Sequence, residues 1–102
     1  MDLYEAARAG CFRLLKSVAL PSVAAAAAVF ADAPADTRVI ELSVYGGTLY
    51  LTYDGTTPVI GSAGHSFDPG SYDLCLSVDV ASKTQGIGSG VSGYVTYWGT
   101  NG

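Results

Sequence analysis

Between Ile40 and Thr52 the side chains alternate. Ile40, Leu42, Val44, Leu49 and Leu51 fall on one side, and Glu41, Ser43, Tyr50 and Thr52 on the other. A period of two is the signature of a half-buried strand. Gly46-Gly47 divides the stretch, and two adjacent glycines suit the positive φ needed at both central positions of a type I′ turn. The pattern therefore predicts an antiparallel hairpin pairing Tyr45 with Thr48, Val44 with Leu49, Leu42 with Leu51 and Ile40 with Tyr53. A slip of one residue would carry the apolar set to the wrong face.

Other segments carry weaker patterns. Leu3, Ala7, Cys11, Leu14 and Val18 recur at spacings of three and four, which predicts an amphipathic helix from residue 2 to about 17, stopping before Pro21. Asp2 and Glu5 near its start and Arg13 and Lys16 near its end suit the helix dipole. The narrow apolar stripe must dock, either on the chain's own domain or on a neighbouring subunit. Val23 to Ala31 is alanine-rich and suits a helix in isolation, but its place after a proline and before strand-rich sequence favours an extended strand. From Ser71 to Val80, Tyr72, Leu74, Leu76, Val78 and Val80 alternate with polar or small residues, predicting a third strand launched by the Asp68-Pro69-Gly70 turn. Residues 82–93 (SKTQGIGSGVSG) are too glycine-rich for a core element and read as a flexible loop, or a β-ribbon held by a partner. A last strand runs from Tyr94 to Thr100.

Composition sharpens this picture. Glycine occurs once before residue 45, at Gly10, and twelve times after it, and six of the seven tyrosines lie from Tyr45 onward. Aromatic strands punctuated by glycine point to an all-β body. The 102 residues suffice for one domain with a modest core, and a charged fraction of only 14% suits a chain that hides part of its surface against neighbours. Three bases and two acids lie in the first sixteen residues; two bases and seven acids follow. So acidic a body is a poor phosphate binder, and nucleic acid is not expected as a partner. The run VAAAAAVFADAPADT ends in an Ala-Asp-Ala resembling a cleavage site, but acids among the early bases and Pro21-Ser22 within the apolar stretch argue against a secretory signal. The run is also too short to span a bilayer, so no membrane contact is expected. Cys11 and Cys75 have no metal-ligand spacing and are expected as reduced, small core residues, with a disulfide between them the alternative.

Candidate chemistry is sparse. His65, the only histidine, is crowded into one short loop with Ser62, Ser66 and Asp68, where a nucleophile, base and orienting acid would have improbable geometry. The aspartates around Asp54, Asp68, Asp73 and Asp79 form no calcium-loop run and read as turn formers. GIGSG lacks the strand–loop–helix setting and the Lys-Ser/Thr of a phosphate loop. No cofactor, metal or enzymatic activity is expected. Tyr45, Tyr50, Tyr94, Tyr97 and Trp98 would suit either a sugar-stacking platform or a protein interface.

The segment LYLTYDGTTPVIGSAGHSFDPGS resembles small β-sandwich structural proteins of tailed bacteriophages, in which an Asp-Gly-Thr-x-Pro turn precedes a small-residue stretch and another strand. YDGTTP is also similar to the immunoglobulin-like accessory domains of chitobiase-type enzymes. In either setting the motif is structural: Asp54 and Gly55 make a turn, as Gly46 and Gly47 do earlier, and Pro58 rigidifies the exit. The resulting expectation is a mainly β chain, an antiparallel β-sandwich over residues 21–102 with an N-terminal α-helix in an arm over 1–20. The phage resemblance implies a non-enzymatic virion protein assembled in the host cytoplasm, first as capsid decoration (cement), with a head–tail (neck or tail) adaptor or an outward carbohydrate- or receptor-binding module as alternatives. Its partners would be major capsid or neck and tail subunits and further copies of itself. Leu3, Ala7, Cys11, Leu14, Tyr94, Tyr97 and Trp98 are the expected interface residues.

Overall fold

The computed structural model describes residues 3–62 and 64–100. Two four-stranded antiparallel sheets pack face to face as a β-sandwich. In chain order the elements are α1 (Leu3–Arg8), β1 (Phe12–Ala19), β2 (Ala27–Ala28), β3 (Thr37–Tyr45), β4 (Leu49–Thr52), β5 (His65–Phe67), β6 (Gly70–Leu74), α2 (Val78–Lys83), β7 (Gln85–Ile87) and β8 (Ser92–Thr100). The larger sheet has the order β1-β8-β3-β6 and the smaller β2-β7-β4-β5.

The expected face is right and the expected pairing wrong. Ile40, Leu42, Val44, Leu49 and Leu51 are all buried in one core. However, β3 pairs with β8 and β6, whereas β4 pairs with β5 and β7 in the opposite sheet. Gly46-Gly47 is thus a crossover between sheets, not a hairpin turn. The three-residue link Gly46-Gly47-Thr48 makes the crossing with Gly46 at φ +83°, where a Cβ would lie 2.5 Å from the Gly90 carbonyl oxygen. Leu42 and Leu51 therefore lie in facing sheets of one core, where a hairpin would have set them side by side.

The N-terminal helix is short. Glu5 sits in its first turn, and Asp2, expected beside it, lies outside the described residues. Gly10, at φ +82°, takes the left-handed conformation that ends helices, and the Cys11 N–H closes on the Ala6 carbonyl. Phe12–Ala19 then runs as an edge strand against β8. Leu14 and Val18 fitted a helical spacing, but β1 belongs to the sandwich, so the arm is far shorter than residues 1–20.

Three further expectations change. Only Ala27–Ala28 of the alanine-rich segment pairs as a strand. The alternation after Ser71 stays a strand only to Leu74; Ser77 then caps α2, its hydroxyl accepting from the Val80 N–H at 3.2 Å. Thr84 closes the helix by donating to the Val80 carbonyl at 2.9 Å. Within the glycine-rich stretch, β7 is an interior strand of the smaller sheet. Gly86 is buried there because a Cβ would come within 2.9 Å of Val29 and 3.0 Å of Leu51.

β8 is the spine of the larger sheet, pairing on both sides. Each neighbour carries a bulge near Trp98, β1 between Leu14 and Lys16 and β3, one step further along β8, between Thr37 and Val39. By plain alternation Val39, before inward Ile40, and Trp98, after inward Tyr97, face outward, where α1 covers them with Leu3 in a second apolar cluster supported by Ala7 and Phe12.

Candidate functional site

The expected interface residues separate into three environments. Leu3 and Trp98 are buried and Ala7 half-buried in the cluster beneath α1. Tyr97 points the opposite way, into the main core, fully buried. Cys11, Leu14 and Tyr94 are exposed, Leu14 by 59% and Tyr94 by 56%. Tyr97 and Trp98 are thus structural, and the five-ring platform does not form; Tyr50 lies on β4 in the other sheet. Cys11 and Cys75 are free and exposed, not core residues.

An outward surface remains on the half of the larger sheet that α1 leaves open. Tyr94 on β8 and Tyr45 on β3, itself 50% exposed, meet edge to face with ring centroids 6.4 Å apart and planes at 76°. Beside them the polar face of the strands is laced together. Ser17 and Thr96 share a hydrogen bond of 3.0 Å, Ser43 and Ser71 one of 3.4 Å, and Trp98 Nε1 donates to Glu41 Oε1 at 3.3 Å. At the lower rim Arg13 pairs with Asp36 at 3.2 Å. This is a flat sheet face with one aromatic pair standing on it.

A second feature lies on the smaller sheet. Leu51, Tyr53, Asp54, Thr56 and His65 line an open cleft of about 460 Å³. His65 sits on the edge strand β5, opposite Leu51. Its Nδ1 lies 3.0 Å from the Tyr53 hydroxyl, and its ring leans on Phe67 at 4.4 Å. Phe67 in turn meets Tyr72 at 4.9 Å, so an aromatic row runs from the cleft to β6. Burial pushes the Tyr53 phenol above its ordinary pKa. Asp54 lies outside this hydrogen-bonded pair: its Oδ1 accepts from the Thr56 hydroxyl at 2.6 Å and from the Thr56 N–H at 3.1 Å. Those bonds, the hydroxyl first, hold its carboxyl below the usual aspartate range. Asp68, the acid nearest His65 in sequence, accepts from Thr48 at 2.9 Å. The expected turn role of Asp54-Gly55 is therefore visible as an Asx turn, and Pro58 after it is buried.

Beyond Pro58 the loop carries Val59 and Ile60, each 49% exposed. Two adjacent aliphatics between a proline and a glycine were a readable signal of an exposed apolar tip. The Tyr53–His65 pairing was not readable, because it depends on β5 joining β4. Among the described residues no group of three or more His, Cys, Asp or Glu side chains could hold a metal ion, and no helix is long and apolar enough to cross a membrane.

No family model matches the chain, and neither a curated protein nor a solved structure is significantly similar to it.

Proposed function

We propose that this chain is a non-enzymatic structural subunit that works by packing against neighbouring molecules in a virion, with capsid decoration as the specific role. The observation that carries the reading is where its apolar side chains lie. Leu14, Tyr45 and Tyr94 stand on one side of the sandwich and Val59 and Ile60 on a loop of the other sheet, all about half exposed or more. Such side chains are covered most economically by adjoining protein. The phage-like YDGTTP turn supports the same reading, as does the cleft chemistry, where the polar groups satisfy one another. A head–tail adaptor would use the same surfaces. A glycan- or receptor-binding module is the second reading, favoured by the exposed Tyr45–Tyr94 pair beside a row of hydroxyls, since aromatic faces stack on pyranose rings.

Co-sedimentation separates these. The purified chain is expected to pellet with assembled shells or necks, and Tyr94→Asp or Ile60→Asp to reduce its recovery with the particle. A chain that ignores such particles but binds glycans, and loses that binding with Tyr94→Ala, would overturn the structural reading. Turnover of a small substrate that disappears in His65→Ala would overturn both.

A further inference from the structure

The geometry points to head-to-tail assembly of this chain with copies of itself, the open edge of β1 in one copy pairing with the open edge of β6 in the next. The inference deepens the reading as a structural subunit, on which it rests, by naming one neighbour. The smaller sheet ends in strands of two and three residues, too short to recruit another strand. The larger sheet ends in β1 and β6. Above the β1 bulge, Lys16, Ser17 and Ala19 are exposed and Val18 half-buried; on β6, Ser71 and Asp73 are exposed and Tyr72 and Leu74 half-buried. Long bare edges of this kind are templates for another strand.

Strand direction, hydrogen-bonding phase and face all agree. β1 and β3 run one way and β8 and β6 the other, so β6 beside the next copy's β1 continues an antiparallel sheet. The Leu20 N–H bonds the Gly93 carbonyl on β8 at 2.9 Å. By the alternation of an antiparallel ladder, the N–H and C=O of Ser17 and Ala19 then point away from β8, to the open side. Carrying the same alternation across β8 and β3 leaves Ser71 and Asp73 pointing away from β3. Lys16 lies level with Tyr97, Ile40 and Leu74. Setting two copies level therefore pairs Ser17 with Asp73 and Ala19 with Ser71 through four backbone bonds. It places Val18 beside Tyr72 on the inward face, where both already pack against the core margin.

Charge selects this pairing over its competitors. β1 carries Arg13 and Lys16 and no acid; β6 carries Asp73 and no base. Two β1 edges, or two β6 edges, would set bases against bases or acid against acid, whereas β1 against β6 lays the basic edge along the acidic one, Lys16 and Asp73 one level apart on opposite faces of the sheet. Because the two surfaces differ, the contact is heterologous and generates rings or open chains, not a closed two-fold dimer.

Velocity sedimentation of the full chain and two edge-blocked variants tests this. Ala19→Pro removes an outward N–H on β1, and Asp73→Pro one on β6, each leaving the internal ladder intact. The wild type is expected to form species beyond the dimer at about 0.1 mM. Each variant alone should associate about tenfold more weakly, and an equal mixture of the two should stop at dimers, joined through their unblocked edges. If a proline variant fails to fold by circular dichroism, charge reversal replaces it. Lys16→Glu or Asp73→Lys should then weaken association about threefold, and the double exchange should restore it. A monomeric wild type at that concentration, unchanged association in the variants, or no dimer in the mixture overturns the inference. Shell co-sedimentation reads the proposed function separately, so the two can fail independently.

Discussion

Removing the hydroxyl of Tyr97 should make this protein more stable, not less. Tyr97 projects from β8 into the core, fully buried, and its Oη has no hydrogen-bond partner. A buried hydroxyl left unbonded costs about 1–3 kcal/mol of desolvation, so Tyr97→Phe, which keeps the ring, is expected to gain about 1 kcal/mol at pH 7. Alkaline pH supplies a second, independent reading. Burial, with the Asp32 carboxylate adding to it, pushes the Tyr97 phenol from 10.0 up to about 12. The unfolded chain therefore ionises at this position before the folded one does. Below pH 10 the wild-type and Phe curves should run parallel. As pH rises from 10 to 12 the wild type should lose about 2.7 kcal/mol relative to the variant, two units at about 1.36 kcal/mol each. Urea unfolding followed by the fluorescence of Trp98, the single tryptophan, measures both, and the difference between the two proteins cancels the other tyrosines. A Phe variant less stable by about 1 kcal/mol at pH 7, or curves that stay parallel to pH 12, would refute the reasoning.

Other perturbations follow from the same packing. Gly86→Ala forces a methyl between Val29 and Leu51, and thermal melting should show a loss of about 1–3 kcal/mol. Trp98→Ala should cost about 3–5 kcal/mol and release α1, read as new protease cleavage near residues 3–8. Gly93→Ala should not fold, because the new Cβ would fall 1.9 Å from the Ser43 carbonyl oxygen; a soluble variant with wild-type circular dichroism would contradict this. The Asp54 turn is held by the ionised carboxylate, whose pKa is depressed in the folded chain, so its stabilisation is full above the ordinary value of 3.8 and fades as pH falls below it. Asp54→Asn should flatten that part of the acid-unfolding curve.

What could be read from the residues was the face, and what could not was the neighbour. Ile40, Leu42, Val44, Leu49 and Leu51 announce a shared core by period two, yet the same pattern serves two strands in one sheet or two strands in facing sheets. Gly46-Gly47 allows both, and only the long-range partners β8 and β7 decide. Leu14 and Val18 satisfied a helical spacing by coincidence, and Gly10 outweighed it by ending α1. Val78 and Val80 likewise continued the β6 alternation, although Ser77 as a cap, Asp79 in the first turn and Lys83 in the last were readable signals of α2. Gly86 looked like loop because the reason for glycine there, the Val29, Leu49 and Leu51 side chains crowding in from elsewhere in the fold, is invisible locally. The surface was legible at Leu14, Tyr45 and Tyr94 and in the Val59-Ile60 pair; as strand neighbours Tyr97 and Trp98 had to face opposite ways, but nothing local showed that α1 would cover the outward one.

The central position of β8 has a consequence for synthesis. While the ribosome is still translating residues 92–100, β1 and β3 have emerged without the strand that belongs between them. The larger layer then has a vacancy in its middle, and the nascent polypeptide shows two unmatched ribbons to its surroundings. Chaperone binding should therefore concentrate on that interval and end once β8 clears the exit tunnel.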